Sequence, residues 1–336
     1  MPTAAFTDLS QIPDAAIGSA AGIATSVLWT GTSLLFTAAA KRLGALVVNT
    51  ARICMAVVLL GITHRLLTGD WLPDVNSRQV LYLGLSGLVG LAIGDQALFT
   101  AFVDIGPRLA MLVMTSAPLF AALFGWAQLG EKPAPLDWLG IAITLIGIAW
   151  VIAERPRMVG QPPGVTGMMP TRRGRGLTLA FIGAACQAGG FLLSKVGMGH
   201  GWLPRAEHVD PQTASLVRMF FAALCMTPIL LLHGVRGRTR QAGMARRAHS
   251  NVAAALLFTL GGATVGPFLG MWMSLVAGDH IPLGVAQTLL SLPPVFILPF
   301  AYWIHKEHIG FRAVAGAVLA VAGVAILCLP KLWPAA

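Results

Sequence analysis

Ten unbroken apolar runs, each close to the roughly 20 residues that a helix needs to cross hydrocarbon, recur along the chain. They lie at about residues 16–40, 45–66, 79–103, 109–129, 136–153, 176–197, 214–233, 252–278, 283–304 and 311–330. Because they are continuous rather than alternating, and because lipid offers backbone groups no other partner, they predict helices and not barrel strands. The expected fold is an all-α integral membrane protein with ten transmembrane helices, multi-pass in the plasma (cytoplasmic) membrane. Only 11% of the 336 residues are charged and 56% are hydrophobic, whereas a soluble domain is about a quarter charged.

The formal net charge of +10 does not imply nucleic acid, because the basic residues sit in short connectors between apolar runs and read as topology signals. The first fifteen residues hold Asp8 and Asp14 but no Lys or Arg, which predicts no secretory leader. Cys54, Cys186, Cys225 and Cys328 all fall inside apolar runs with no CxxC spacing, so they read as small packing residues.

The proline- and arginine-rich stretch 154–175 divides the runs into two sets of five, 16–153 and 176–331. The sets can be superimposed in register. Glu131 is followed after nine residues by Gly140 and after seven more by Gly147, and Glu307 by Gly316 and Gly323 at the same spacings. Thirteen residues before each Glu stands a proline, Pro118 and Pro294. Arg52 corresponds to Arg218, and Gly94 to Gly266. An odd number of crossings per copy turns the second copy upside down relative to the first, which predicts two inverted five-helix repeats with a solute site near the midplane where they meet. The bland reading of the same pattern is a duplication kept for stability.

The stretch GDQALFTAFVDIGPRLAMLVMTSAPLFAALFGWAQLGE, Gly94 to Glu131, with the glycine-spaced run that follows it, resembles the EamA-type module of the drug/metabolite transporter superfamily. The segment Leu283 to Leu329 is similar but weaker. Together two such modules account for nearly the whole chain. The resemblance implies a ten-helix metabolite exporter or permease. With the inverted repeats and the polar residues at depth, the expected function is secondary transport of a small metabolite or drug-like solute by alternating access, with protons as a candidate coupling ion and no cofactor.

Individual polar residues at depth are the candidate site. Asp95 stands about 24 Å along its helix from one end of its run and about 12 Å from the other, too deep for its short side chain to reach water. It must face a cavity or a partner, as a proton-coupling group, as a contact for a substrate cation, or as a hydrogen-bonded residue that closes the helix end beside Gly94. Gln96 adjoins it. Arg52 and Arg218 stand near the starts of their runs, where long stems reach the interface, so they read as anion contacts or as anchors. Lys195 reads as snorkelling to the surface. Gln287, Ser291 and Pro294 share one stripe of the ninth run, and Met111, Thr115 and Pro118 the equivalent stripe of the fourth. The two prolines are helix-break candidates, and these stripes are either a cavity wall or hydrogen-bonded packing. Trp29 and Gln187 occupy corresponding places in the repeats and, with Trp272, are either ligand contacts or packed side chains. Tyr302 and Trp303 fit an interfacial belt. Gly87, Gly90 and Gly94, and Gly262, Gly266 and Gly270, form two stripes for close packing.

The rival class is a membrane-embedded enzyme acting on a lipid-soluble substrate. The sequence has no HExxH, GxSxG or phosphate loop, and His305 and His308 form an HxxH pair with no third metal ligand nearby. Polar residues spread over both repeats suit a pathway better than a reaction centre. The expected partners are a small-molecule solute, protons and the lipid bilayer, with the chain a monomer or a weak homo-oligomer.

The odd-numbered connectors carry about fifteen Lys and Arg against about six on the other side, which predicts both termini outside, whereas the family resemblance implies both inside. Ten crossings require the two ends to share a side. Tags at each terminus, probed in intact cells, are expected to show equal accessibility; unequal accessibility would refute the helix count.

Overall fold

The computed structural model describes residues 13–43, 45–153, 173–237, 252–296 and 311–332. Among the described residues the regular structure is helical throughout, with no strand. The helices are α1 (Asp14–Leu43), α2 (Ala45–Thr68), α3 (Ser77–Ser86), α4 (Asp95–Met114), α5 (Ala117–Leu129), α6 (Pro135–Ala153), α7 (Arg173–Gly197), α8 (Pro211–Gly237), α9 (Val252–Ala263), α10 (Met271–His280), α11 (Leu283–Leu290) and α12 (Phe311–Leu332). Five described helical spans are long and apolar enough to cross a membrane, and four shorter apolar helices accompany them. Large apolar side chains such as Val58, Trp126, Ile146, Leu224 and Val318 are exposed on the outside, the surface that lipid covers. The linker residues 154–172, Tyr302, Trp303, His305, Glu307 and His308 lie outside the described residues.

Helix pairing follows the repeat. The first apolar run (α1) packs on the eighth (α9 and α10), and the third (α3 and the start of α4) on the sixth (α7). The second packs on the seventh (α2 on α8), the fourth on the ninth (α5 on α11) and the fifth on the tenth (α6 on α12). Exchange of the two repeats turns the first pairing into the third-on-sixth pairing and leaves the other three unchanged. That is a twofold relation, and five crossings per copy set its axis in the membrane plane. The ten apolar runs are thus arranged as two inverted five-helix repeats.

Two segments of i→i+5 helix interrupt this regularity, Gly87–Gly94 between α3 and α4 and Thr264–Gly270 between α9 and α10. They occupy matching places in the two repeats. Wide turns of this kind are rare and concentrate at functional sites. The apolar pattern does not register them, because they keep each run unbroken. A second difference concerns the third and fourth runs, where a connector was expected near residues 104–108. The backbone stays helical through Asp95–Met114, which satisfies its polar groups locally. The break falls later, at Thr115 and Ser116, and its counterpart in the ninth run falls at Ser291 and Leu292.

The glycines that mark the repeat are crossing points. A Cβ on Gly147 would lie 2.4 Å from Ala320 N, and one on Gly316 would lie 2.9 Å from Gly147 O. A Cβ on Gly323 would meet Thr144 N at 2.5 Å. Helices α6 and α12 therefore touch backbone to backbone, the approach that small residues permit in lipid. Gly147→Leu is expected to force them apart and to lower stability by roughly 1–3 kcal/mol or more, read by thermal unfolding in detergent. Ile146→Ala, on the exposed face of the same helix, should leave unfolding within about 0.5 kcal/mol of the parent.

Candidate functional site

Asp95 is the first residue after the Gly87–Gly94 segment and opens α4. Its two oxygens are taken from different directions. Arg52 Nη2, from α2, donates to Oδ2 at 2.9 Å, and Gln187 Nε2, from α7, donates to Oδ1 at 2.8 Å. Arg52 is fixed in turn, its Nε donating to Asn49 Oδ1 at 2.7 Å. The pair is nearly enclosed, with side-chain exposures of 17% for Arg52 and 12% for Asp95. At that depth an ion pair is sustained only by geometry and extra hydrogen bonds, which Gln187 and Asn49 supply.

Arg218 enters from α8. It is 3% exposed, and Asp95 is the charge that acts on it electrostatically. Its Nη1 donates to the sulfur of Met271 at 3.5 Å, and its Nε finds no acceptor among the described residues. The glycine stripe makes room for it. A Cβ on Gly87 would collide with Arg218 O at 2.2 Å, and one on Gly90 would lie 2.8 Å from Arg218 Nη2. On the far side Gly90 meets Gly190 of α7, where a Cβ would come within 2.6 Å of Gly90 Cα. Ser86 Oγ bonds Gly190 O at 2.7 Å across the same contact.

Four of the residues singled out in the sequence thus converge, Asp95, Arg52, Gln187 and Arg218. Both guanidinium groups are directed into the protein, Arg52 by its bonds to Asp95 and Asn49 and Arg218 by burial. Trp29 packs against the neighbouring apolar cluster that contains Leu91 and Met271, and Trp272 packs on Phe268 with ring centroids 6.3 Å apart. Gln96 is exposed, although it is adjacent to Asp95 in sequence. Asn49 was not anticipated. It stands one helical turn before Arg52, a spacing that could have suggested it.

The remaining candidates mark the helix breaks. Thr115 and Ser291 are at the interruptions themselves, with Pro118 and Pro294 just beyond. In the ninth run the Leu289 carbonyl accepts from Leu292 N at 3.3 Å and also from Ser26 of α1, and Pro293 O lies 3.4 Å from Thr30 Oγ1. Gln287 is buried in α11. Ser291 Oγ donates to Gln287 O at 2.8 Å within the same run, and the bonds to α1 are made by the Leu289 and Pro293 carbonyls.

Lys195 does not snorkel. It is 6% exposed, with Nζ 2.7 Å from Glu131 Oε1 and 2.9 Å from Ile281 O. The other oxygen of Glu131 accepts from Leu283 N at 2.7 Å, at the start of α11. Two partners inside the protein outweigh a reach to the surface. In the register that superposes the two i→i+5 segments, Asp95, which opens α4, falls on Met271, which opens α10, so the carboxylate has no copy at the matching place of the second repeat.

The family model described as EamA-like transporter family matches residues 16–153 and 174–329. A probable 4-amino-4-deoxy-L-arabinose-phosphoundecaprenol flippase subunit, ArnE of Erwinia tasmaniensis, is 38% identical over 72 residues, 21% of this chain and 67% of that protein. The UPF0060 membrane protein BH2744 of Halalkalibacterium halodurans is 38% identical over 88 residues, 26% of this chain and 78% of that one. The uncharacterized inner membrane transporter YedA of Escherichia coli K12 is 31% identical over 123 residues, 36% of this chain and 39% of its own length. A solved crystal structure superposes with a TM-score of 0.71 over 93% of this chain and 96% of its own at 16% identity, a likeness of fold alone.

Removal of the carboxylate strands buried guanidinium charge. Asp95→Ala is expected to cost on the order of 3 kcal/mol or more, seen as a lowered unfolding temperature in detergent. Gln96→Ala, one residue away but exposed, is expected to unfold with the parent.

Proposed function

The chain belongs to the EamA-like transporter family and is a multi-pass transport protein of the cytoplasmic membrane, and from that premise we propose that it is a secondary active transporter for a small solute bearing a carboxylate or another compact anion. In this reading it is not an enzyme: the solute crosses unchanged, as the inverted repeats rock about the seam that holds Asp95, Arg52, Gln187 and Arg218. The observation that carries the reading is Arg218. A guanidinium in a low-dielectric interior needs an anion, yet both oxygens of Asp95 are already engaged by Arg52 and Gln187. Arg218 is left with long-range compensation from that carboxylate and an unpaired Nε. An anionic solute would complete it, and the fork of donors on arginine matches a planar carboxylate.

The same geometry argues against Asp95 as a binding site for a substrate cation, since its oxygens are occupied. It suits a coupling role better. A proton on Asp95 would cancel the charge that holds Arg52 and loosen the contact between α2 and α4, so proton and solute would act on one network. The glycine contacts of α3 with α7, and the hydrogen-bonded break of the ninth run, would let the helices rock without opening backbone groups to lipid.

Uptake and efflux in proteoliposomes, over a panel of anionic, zwitterionic and purely cationic solutes, test the reading. Carboxylate-bearing solutes are expected to move. Arg218→Gln should reduce their transport at least about tenfold, the loss of one charge-assisted contact, while the protein remains folded. Asp95→Asn should remove the dependence of rate on pH. Transport of cations alone, or full activity in Arg218→Gln, would sink the proposal.

A further inference from the structure

A second cluster of titratable groups lies at the opposite end of α7, in the connector to α8. After Gly197 the chain turns through Gly199 at φ 115° and Gly201 at φ 85°, left-handed positions that suit glycine. His200 is held between them. A Cβ on Gly199 would lie 2.7 Å from His208 Cδ2, so glycine there is what allows His208 to fold back onto the turn. The two imidazole rings are 4.5 Å apart at 55°. Hydrogen bonds fix this geometry: Leu203 N to Gly199 O and Val209 N to Met198 O, both 2.9 Å, and Trp202 Nε1 to Val196 O at 2.7 Å. From the end of α10, Asp279 brings Oδ1 to 2.7 Å from His200 Nε2.

We propose that His200, His208 and Asp279 bind a late first-row divalent cation, with zinc the best fit, and that the ion ties the α7–α8 connector to the end of α10. One ligand atom from each residue lies within 4.8 Å of the others. In a tetrahedral zinc site with bonds of about 2.0–2.2 Å, ligand atoms stand roughly 3.3 Å apart. The His200–Asp279 contact would lengthen slightly and the other separations would close, within reach of side-chain motion. Two imidazoles and one carboxylate are borderline-hard donors that suit zinc and not calcium or magnesium. All three residues are half-buried and border a cavity of about 380 Å³, which leaves room for water as a fourth ligand. His208 Nε2 is 3.2 Å from Leu203 O. Such carbonyl contacts orient imidazoles around a metal. Coordination through a ring nitrogen requires that atom to carry no proton.

The location gives the ion a consequence. Helix α7 packs on the third and fourth runs and α10 on the first, so the ion would brace, within the second repeat, two helices that hold different runs of the first. Lys195 with Glu131, and Arg205 with Asp14 at 2.9 Å, already join elements at this end. A bound cation adds a coordinate bond to that closure.

The test uses untagged full-length protein in detergent, stripped with chelator and titrated with zinc by calorimetry and with cobalt by visible absorption. Expected are one saturable site per chain and the intense cobalt bands of a four-coordinate site. His208→Ala and Asp279→Asn should each weaken zinc by more than the roughly 10–100-fold that loss of an outer-shell partner brings. The double variant H305A/H308A should leave the stoichiometry unchanged. Absence of saturable binding by the parent, binding undiminished in His208→Ala and Asp279→Asn, or loss of the site in H305A/H308A would overturn the proposal. Should either ligand variant fail to fold, the cobalt spectrum of the parent decides alone, since a spectrum of octahedral form would also overturn it.

Discussion

A carboxylate inside hydrocarbon must be met by donors, and those donors must come from side chains because the backbone of a helix is already spent on itself. Asp95 is held in this way by Arg52 of α2 and Gln187 of α7. One side chain therefore fixes the third run against one helix of its own repeat and one of the other. Much of the surrounding structure follows from the need to bring these helices close enough. Gly87 and Gly90 remove the side chains that would hold α7 and α8 away. The wide turns of Gly87–Gly94 re-aim the helix just before the acid. Ser86 bridges the same gap with a hydroxyl. The polar contact and the glycine contact thus serve one another, since neither would form at an ordinary helix spacing of 8–10 Å.

Helix count, duplication and inversion were legible in the sequence because they depend on quantities that accumulate along it: run length, repeat register and the parity of crossings. Asp95 was legible because a carboxylate at depth is costly wherever it points. Other features depend on which distant atoms meet. The alternatives open for Arg52 and Arg218 could be separated only by the partners they find, and the local signal of a basic residue near a helix end resembles that of an anchor. Lys195 shows the limit most clearly. Position alone suggested a stem reaching for water, but Glu131, well before it in sequence, turns it inward. Glu131 itself stood out as a repeat marker, and only the fold reveals it as a cap for α11 and a partner for that lysine. The i→i+5 segments leave no trace in hydropathy, since a helix with one extra residue per turn remains an apolar helix.

The two ends of the seam differ in chemistry. The interior network is built from one carboxylate, two guanidiniums and a neutral amide. The end near α10 is built from Lys195, Glu131, His200, His208, Asp279 and the Arg205–Asp14 pair. Lys195 and Glu131 are as enclosed as the interior pair, whereas Arg205 and Asp14 are open to water and so bind each other weakly.

The mismatch of Asp95 with Met271 bears on ancestry. Two separate identical subunits, packed antiparallel about a twofold axis, can place a pair of acids or a pair of methionines at such a seam, but never one of each. A single off-axis negative charge becomes available only after the two halves have diverged in sequence. The lone acid is in that sense a molecular fossil, recording that the present polypeptide has passed beyond what any homodimer of its parts could reproduce.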